Sequence, residues 1–260
     1  MGTVPNYDDA LIALAAAFFV TAVLYASVGF AGGSTYTALL VLAGTSISIL
    51  PIVSLTCNLI VAGGGTHHFA TAGLVPWRRL WPLLAVSVPA AFVGGALPVS
   101  KPVFVALLGG SLLVAGLLLL LQREPDDAGE QPARYRLLGA TIALPIGLLS
   151  GVVGIGGGIF LAPVLHLIGW DRAKRVAAAA SVFILVNSLA GLAGQATKLT
   201  DTAALAQVAA YWPLALAVLV GGQIGSRVGI QFLPPTPLRR LTAVLILYVA
   251  GQLLWRTFSG

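Results

Sequence analysis

The sequence predicts an all-α integral membrane protein made of two inverted-topology repeats, each a glycine-broken helix hairpin followed by three transmembrane helices. Three observations carry this prediction. Of the 260 residues, 58% are hydrophobic and 8% charged, with a mean hydropathy of +0.98, whereas a soluble domain carries about 25% charge. Apolar runs follow one another in two series separated by a single polar stretch, and the two series repeat the same residues in the same order.

The composition excludes a soluble globule, a nucleic-acid binder and a disordered chain, because too little polar surface remains to keep this chain in water. The formal net charge of +6 is therefore read by position, as loop charge that sets membrane orientation. All eight carboxylates fall outside the apolar runs. Cys57 is the sole cysteine, which rules out an intrachain disulfide and a cysteine-rich metal site. Residues 1–10 carry Asp8 and Asp9 and no Lys or Arg, the wrong charge for a secretory signal, so the run from Leu11 is expected to be retained.

The first series comprises Leu11 to Val28, Ser34 to Ala43, Ile47 to Ala62, Leu80 to Leu97 and Val103 to Leu121. The second comprises Leu137 to Val153, Ile159 to Ile168, Val176 to Ala193, Ala203 to Gly225 and Leu241 to Trp255. A bilayer core takes about 20 helical residues to cross, so Ser34 to Ala43 and Ile159 to Ile168 reach only about halfway. Residues 122–136, QREPDDAGEQPARYR, form a polar linker between a first repeat, 1–121, and a second, 137–260.

The repeat is visible in ordered anchors. Gly29, Gly32 and Gly33 of GFAGGS match Gly154, Gly157 and Gly158 of GIGGGI, Asn58 matches Asn187, and Trp81-Pro82-Leu83 matches Trp212-Pro213-Leu214. The offset grows slowly, from 125 residues at Gly29 to 135 where Val114-Ala115-Gly116 matches Val249-Ala250-Gly251. Basic residues lie at Arg78-Arg79 and in the linker in the first half, but at Arg172, Lys174, Arg175, Arg227, Arg239 and Arg240 in the second. Positive loops face the cytoplasm, so the second copy is upside down. With each short run folded into a hairpin, three spanning helices remain per repeat, about eight helices by simple count, and both chain ends lie outside. The five tryptophans sit at run ends, as interfacial anchors do.

Inverted repeats with broken helices are transporter architecture, with the substrate site at the midplane where the unwound segments meet. After each break a short helix begins, so its unpaired N–H groups and positive dipole end point into the membrane centre. Two such ends make an anion site without a basic side chain, whereas a cation carrier would be expected to use an intramembrane carboxylate. The candidate substrate-binding residues are Gly32, Gly33, Ser34 and Thr35 at the first break and Gly157, Gly158 and Ile159 at the second. Asn58 and Asn187 join them, since an amide can donate to an anion without fixing charge in the membrane, and Gln195 lies close by in AGQAT. The alternatives are close helix packing for the glycines and satisfaction of freed carbonyls for the amides.

His67 and His68, in GGGTHHF, either carry a proton for coupling or form an interfacial pair near the cytoplasmic mouth. His166 reads as a helix-end residue. Arg78, Arg79 and Arg175 either gather anions at that mouth or set topology alone. Enzyme readings find no motif: there is no H-E-x-x-H, no G-x-S-x-G and no intramembrane aspartate, and Gly154, Gly156 and Ile159 fail the dinucleotide spacing.

With the paired motifs GFAGGS and GIGGGI, the duplication, the polar linker and the length, the chain resembles the TauE/SafE family of membrane permeases over essentially its whole span. The resemblance implies an exporter of sulfite, sulfoacetate or a related organosulfonate in the inner membrane. The first motif departs from the second at Ala31 and Ser34, so the halves need not contribute equally. The expected mechanism is alternating access about the midplane. A passive anion channel and a non-transporting assembly or sensor subunit remain the alternatives. The expected partners are a small anion and the lipid bilayer, with a homo-oligomer left open; no nucleic acid, metal or cofactor is expected.

Overall fold

A computed structural model describes residues 7–121, 133–199, 202–231 and 235–258, and the elements within them are helices. In chain order these are α1 (Tyr7–Ser27), α2 (Gly33–Leu42), α3 (Leu50–Thr71), α4 (Trp77–Ala96), α5 (Lys101–Leu121), α6 (Ala133–Val153), α7 (Gly158–Leu167), α8 (Ala173–Ala196), α9 (Thr202–Ala209), α10 (Trp212–Gln231) and α11 (Pro235–Phe258). Among the described residues, four helices are long and apolar enough to cross a membrane: α1 over Ala10–Ser27, α4, α5 and α8. Large apolar side chains such as Leu113, Leu117, Leu120, Leu216 and Val220 are exposed, a surface that suits lipid rather than water. The protein is a multi-pass, all-helical membrane protein.

Two elements differ from the sequence expectation. The single run Ala203 to Gly225 is two helices, α9 and α10, with a turn at 210–211. The turn precedes Trp212-Pro213, and proline, lacking an N–H and fixed in φ, belongs in the first turn of a helix. The third run extends beyond Ala62 through GGGTHH, so α3 reaches Thr71. Of the expected linker, residues 122–132 lie outside the described residues, and 133–136 already belong to α6.

The helices pack across the two halves. α1 lies on α10, α4 on α6 and α8, α3 on α8 and α10, and α5 on α11, while α2 packs on α3 and α7 on α8. Glycines allow these close approaches. A Cβ at Gly147 or Gly151 of α6 would run into the Ser87 and Ala91 backbone of α4, and one at Gly194 of α8 into that of Phe92. With little hydrophobic driving force between helices in lipid, such backbone proximity supplies the van der Waals contact that holds the bundle.

α3 and α8 form the central pair. Leu55 of α3 lies by Gly191 of α8, and Thr66 lies 3.3 Å from Ser181, so the two run antiparallel and cross near their middles. Of the tryptophans, Trp77, Trp81, Trp212 and Trp255 are exposed, whereas Trp170 is buried in the turn between α7 and α8. Its carbonyl accepts a hydrogen bond from Arg79 at 3.1 Å, so Trp170 is a packing residue and not a lipid-facing anchor.

Candidate anion site at the two helix breaks

Each break is built by glycine. α1 ends in a Schellman motif, the Phe30 N–H donating to the Tyr25 carbonyl at 2.9 Å and the Gly29 N–H to that of Ala26 at 3.2 Å. After 30–32, α2 starts with Gly32 as N-cap at φ +93°; α7 starts with Gly157 as N-cap at φ +78°. Both values lie in the left-handed region that only glycine enters at little cost. Neither cap offers a side chain to the helix end. The first backbone bonds run from Tyr36 to Gly32 at 3.0 Å and from Phe160 to Gly157 at 3.1 Å. The N–H groups of Gly33, Ser34, Thr35, Gly158 and Ile159 therefore project from the two helix ends.

These ends begin in the middle of the bundle. A Cβ at Gly33 would collide with the side-chain amide of Asn58, the ninth of the 22 residues of α3. A Cβ at Gly158 would collide with Ile184, the twelfth of the 24 residues of α8. Each helix N-terminus carries the equivalent of about half a positive charge, and both point at the same region. Between them lies one small cavity of about 10 Å³, lined from the first break by Phe30 to Ser34 and from the second by Ile155 and Ile159, with Tyr25 and Ile184 completing it. That volume matches a single water molecule.

The polar side chains around the breaks divide into two sets. One set ties the breaks together: the Ser54 hydroxyl lies 2.8 Å from the Gly154 carbonyl and 3.1 Å from that of Gly33. Thr37 donates to Gly33 at 2.8 Å and lies 2.8 Å from Ser54, and Thr35 shares a 2.7 Å bond with Tyr25. The other set is buried and makes no hydrogen bond: Ser34 Oγ, the Tyr36 hydroxyl beside Gly32, both amide atoms of Asn58, and Ser188 Oγ. Asn58 Nδ2 and Ser188 Oγ both lie within 3.0 Å of where a Cβ of Gly156 would sit, at the second break. Buried polar groups are normally partnered, and each one left without a partner costs about 1–3 kcal/mol.

The structure thus brings Gly32, Gly33, Ser34, Thr35, Asn58, Gly157, Gly158 and Ile159 together. Asn187 and Gln195 do not line the cavity and donate hydrogen bonds of their own, while Asn187 Oδ1 is buried without a partner. Asn187 donates to Ser87 of α4 at 3.0 Å and to the Phe183 carbonyl at 2.8 Å. Gln195 donates at 2.8 Å to the carbonyl of Gly151, close to where α6 ends. His67 is exposed and His68 half-buried in the last turns of α3, with ring centroids 6.0 Å apart. Ser54 and Ser188, polar residues within apolar runs beside the two asparagines, are near the breaks as well, and so is Thr37, for which no signal stands out in the sequence. Among the described residues, no three metal-ligating side chains cluster.

At one face the buried Asp171 carboxylate pairs with Arg79 at 3.3 Å and Arg175 at 3.7 Å, joining the start of α4 to the turn before α8. The two arginines share this one carboxylate, which leaves a single positive charge on the trio, and Arg78 remains exposed.

Comparison with known proteins agrees with this architecture. The family described as sulfite exporter TauE/SafE matches residues 13–253. The chain is 34% identical to the probable membrane transporter protein y4hK of Sinorhizobium fredii, over 95% of this chain and all of that one. It is 26% identical to a probable membrane transporter protein of Xylella fastidiosa, over 74% of each. It is 27% identical to the probable membrane transporter protein MamO of Paramagnetospirillum magneticum, covering 75% of this chain and 36% of MamO. No solved structure matches. With nearly the whole chain matched by the family and a relative aligned end to end, this protein belongs to the sulfite exporter TauE/SafE family.

Proposed function

We propose that this protein is a secondary transporter exporting a small sulfur-containing anion, sulfite, sulfoacetate or a related organosulfonate, across the inner membrane. Transport proceeds by alternating access about the cavity between the breaks. The observation that carries this reading is the cavity itself, lined by both breaks, with two helix N-termini and buried, unpartnered Ser34 and Asn58 beside it. Dipole ends and neutral donors attract an anion in low dielectric without fixing a charge there. A sulfur oxyanion is larger than a water molecule, so the breaks must part to admit it, which is the motion that rocking repeats supply.

The packing supports two inverted repeats. Exchanging α1–α5 for α6, α7, α8, α10 and α11 turns the α1 and α10 pair into α6 and α4, and the α3 and α10 pair into α8 and α4. Under the same exchange α3 and α8 are each other's counterparts, and they run antiparallel, as inversion requires. The repeats correspond to the expected 1–121 and 137–260, with the second beginning a turn earlier, at the start of α6. The Arg79 contact with Asp171 joins the two basic turns on one side, which favours the cytoplasm there and both chain ends outside. His67 and His68, near that side, are candidates for proton coupling. We assign Asn187 and Gln195 to holding α4, α6 and α8 around the site.

The test is flux in proteoliposomes with sulfite, sulfoacetate and acetate. Saturable uptake of a sulfur anion that exceeds acetate uptake is the expected result. Uptake of none of them, or a flux that rises linearly without saturation as in an open channel, rejects the reading.

A further inference from the structure

We propose that two contacts at opposite ends of α3 are the gates of the transport cycle, an ionic one at the cytoplasmic end and a neutral one at the outer end. Their unequal strength holds the empty protein closed to the cytoplasm. This rests on the transport reading above and says which bonds part on each side.

The contacts occupy equivalent places in the two halves. α2 and α7 each end in a glycine turn, with Gly44 at φ +77° and Gly169 at φ +61°. The next N–H in each, of Thr45 or Trp170, donates back to Leu40 at 3.0 Å or Leu165 at 2.9 Å. The two glycines are 125 residues apart, the offset that also separates Gly29 from Gly154. Each turn is met by the start of a helix from the other half. After α7 the partner is α4, whose Arg79 donates to the Trp170 carbonyl at 3.1 Å and to the Asp171 carboxylate at 3.3 Å. After α2 it is α10, where Tyr211, the residue before Trp212, has its hydroxyl 3.2 Å from that of Thr45.

Thr45 precedes α3 and Arg79 follows it, so the 22 residues of α3 set the two contacts about 30 Å apart, near the thickness of a bilayer core. Each short helix runs from its break to one of them: α2 from Gly33 towards Thr45, and α7 from Gly158 towards Trp170. The cavity between the breaks is thus shut off by one contact on each side.

The two closures differ in chemistry. Hydrogen bonds between charged partners are roughly twice as strong as those between neutral ones, and the Thr45 and Tyr211 hydroxyls carry no charge. Asp171 is buried, and Arg175 of α8 lies 3.7 Å from the same carboxylate. When α4 withdraws with Arg79, Arg175 stays beside Asp171, so no lone buried charge is left behind. The spare positive charge of the trio draws anions to this seam. An anion that takes Arg79 from Asp171 opens the gate from the side where an exporter meets its substrate.

The test follows access to Ser34, which lines the cavity, as Ser34→Cys in a Cys57→Ser background. A membrane-impermeant methanethiosulfonate is applied to spheroplasts or to inverted vesicles. Labelling at least about tenfold faster from the outer side is expected. Asp171→Asn keeps an oxygen for the Arg172 N–H but loses the charge, and Arg79→Gln removes the other partner. Each is expected to raise labelling from the cytoplasmic side at least about tenfold, whereas Tyr211→Phe raises it from the outer side only, and by less. Labelling no faster from the outer side, or cytoplasmic-side rates that neither charge variant alters, overturns the proposal. In a second arm, Thr45→Cys with Tyr211→Cys is joined by a short bis-maleimide before sulfite flux is measured in proteoliposomes. The bridge is expected to stop the flux that the same variant shows unbridged. Bridged protein that transports as before has a static contact there, which overturns the gates and leaves transport intact. No sulfite flux in wild type removes the transport reading, and the gates with it.

Discussion

Replacing Gly33 or Gly156 with alanine is expected to reduce sulfite flux by more than about tenfold, while Gly110→Ala leaves it unchanged. A Cβ on Gly33 meets the Asn58 amide directly, at the first turn of α2. On Gly156 it meets Ile184, Ser188 and Asn58 within 3.0 Å, at a φ of +74° where any side chain is strained. In both cases the added methyl fills the space between the breaks and pushes on the amide proposed to bind the anion. Gly110 lies in α5 with no neighbouring atom within 4 Å of its Cβ position, so alanine there tests the chemistry of the substitution without the crowding. Flux normalised to monodisperse protein after gel filtration is the measurement, since overpacking also costs about 1–3 kcal/mol of stability.

The two asparagines are expected to separate function from stability. Asn58 makes no hydrogen bond, so Asn58→Ala removes an unsatisfied buried amide, leaves the melting temperature unchanged or raised, and lowers flux more than about tenfold. Asn187 is held by Ser87 and by the Phe183 carbonyl. Asn187→Ala therefore deprives buried Ser87 of a donor and costs about 1–3 kcal/mol, seen as a lower melting temperature, with flux per folded molecule retained. Thermal unfolding in detergent and flux in proteoliposomes, measured on both variants, check the split. A loss of flux with Asn187→Ala at unchanged stability would return that residue to the anion path.

These outcomes trace back to what a single sequence can and cannot display. The breaks were legible because left-handed turns demand glycine and because ten-residue apolar runs are too short to span. Asn58 was legible because an amide in an apolar helix is costly. The difference in hydrogen bonding between Asn58 and Asn187 was not, because matching by residue type joined two amides whose surroundings differ. The residue that lies against Gly158 as Asn58 lies against Gly33 is Ile184, three positions from Asn187. A shift of three residues is close to one helical turn and keeps the face, so periodicity gives no warning of it. The hydrogen bond of Gln195 was hidden for a different reason: its partner is a carbonyl near the end of α6, and which carbonyls a break leaves open depends on its three-dimensional course. The split between α9 and α10 depended on a Trp-Pro pair inside a run that is apolar throughout. The pairing of Arg79 and Arg175 with Asp171 was not legible either, because Asp171 is distant from Arg79 in sequence.

The central claim is that the cavity between the two breaks is the anion site, and calorimetric titration of sulfite into purified protein tests it most directly. Wild type is compared with a Ser34→Ala, Asn58→Ala double variant, both checked for an unchanged melting temperature. The account predicts saturable binding to wild type and none to the double variant, because the substitutions remove the side-chain donors beside the first helix end while leaving the fold intact. Equal sulfite affinity in the two proteins would contradict it and move the anion site away from the breaks.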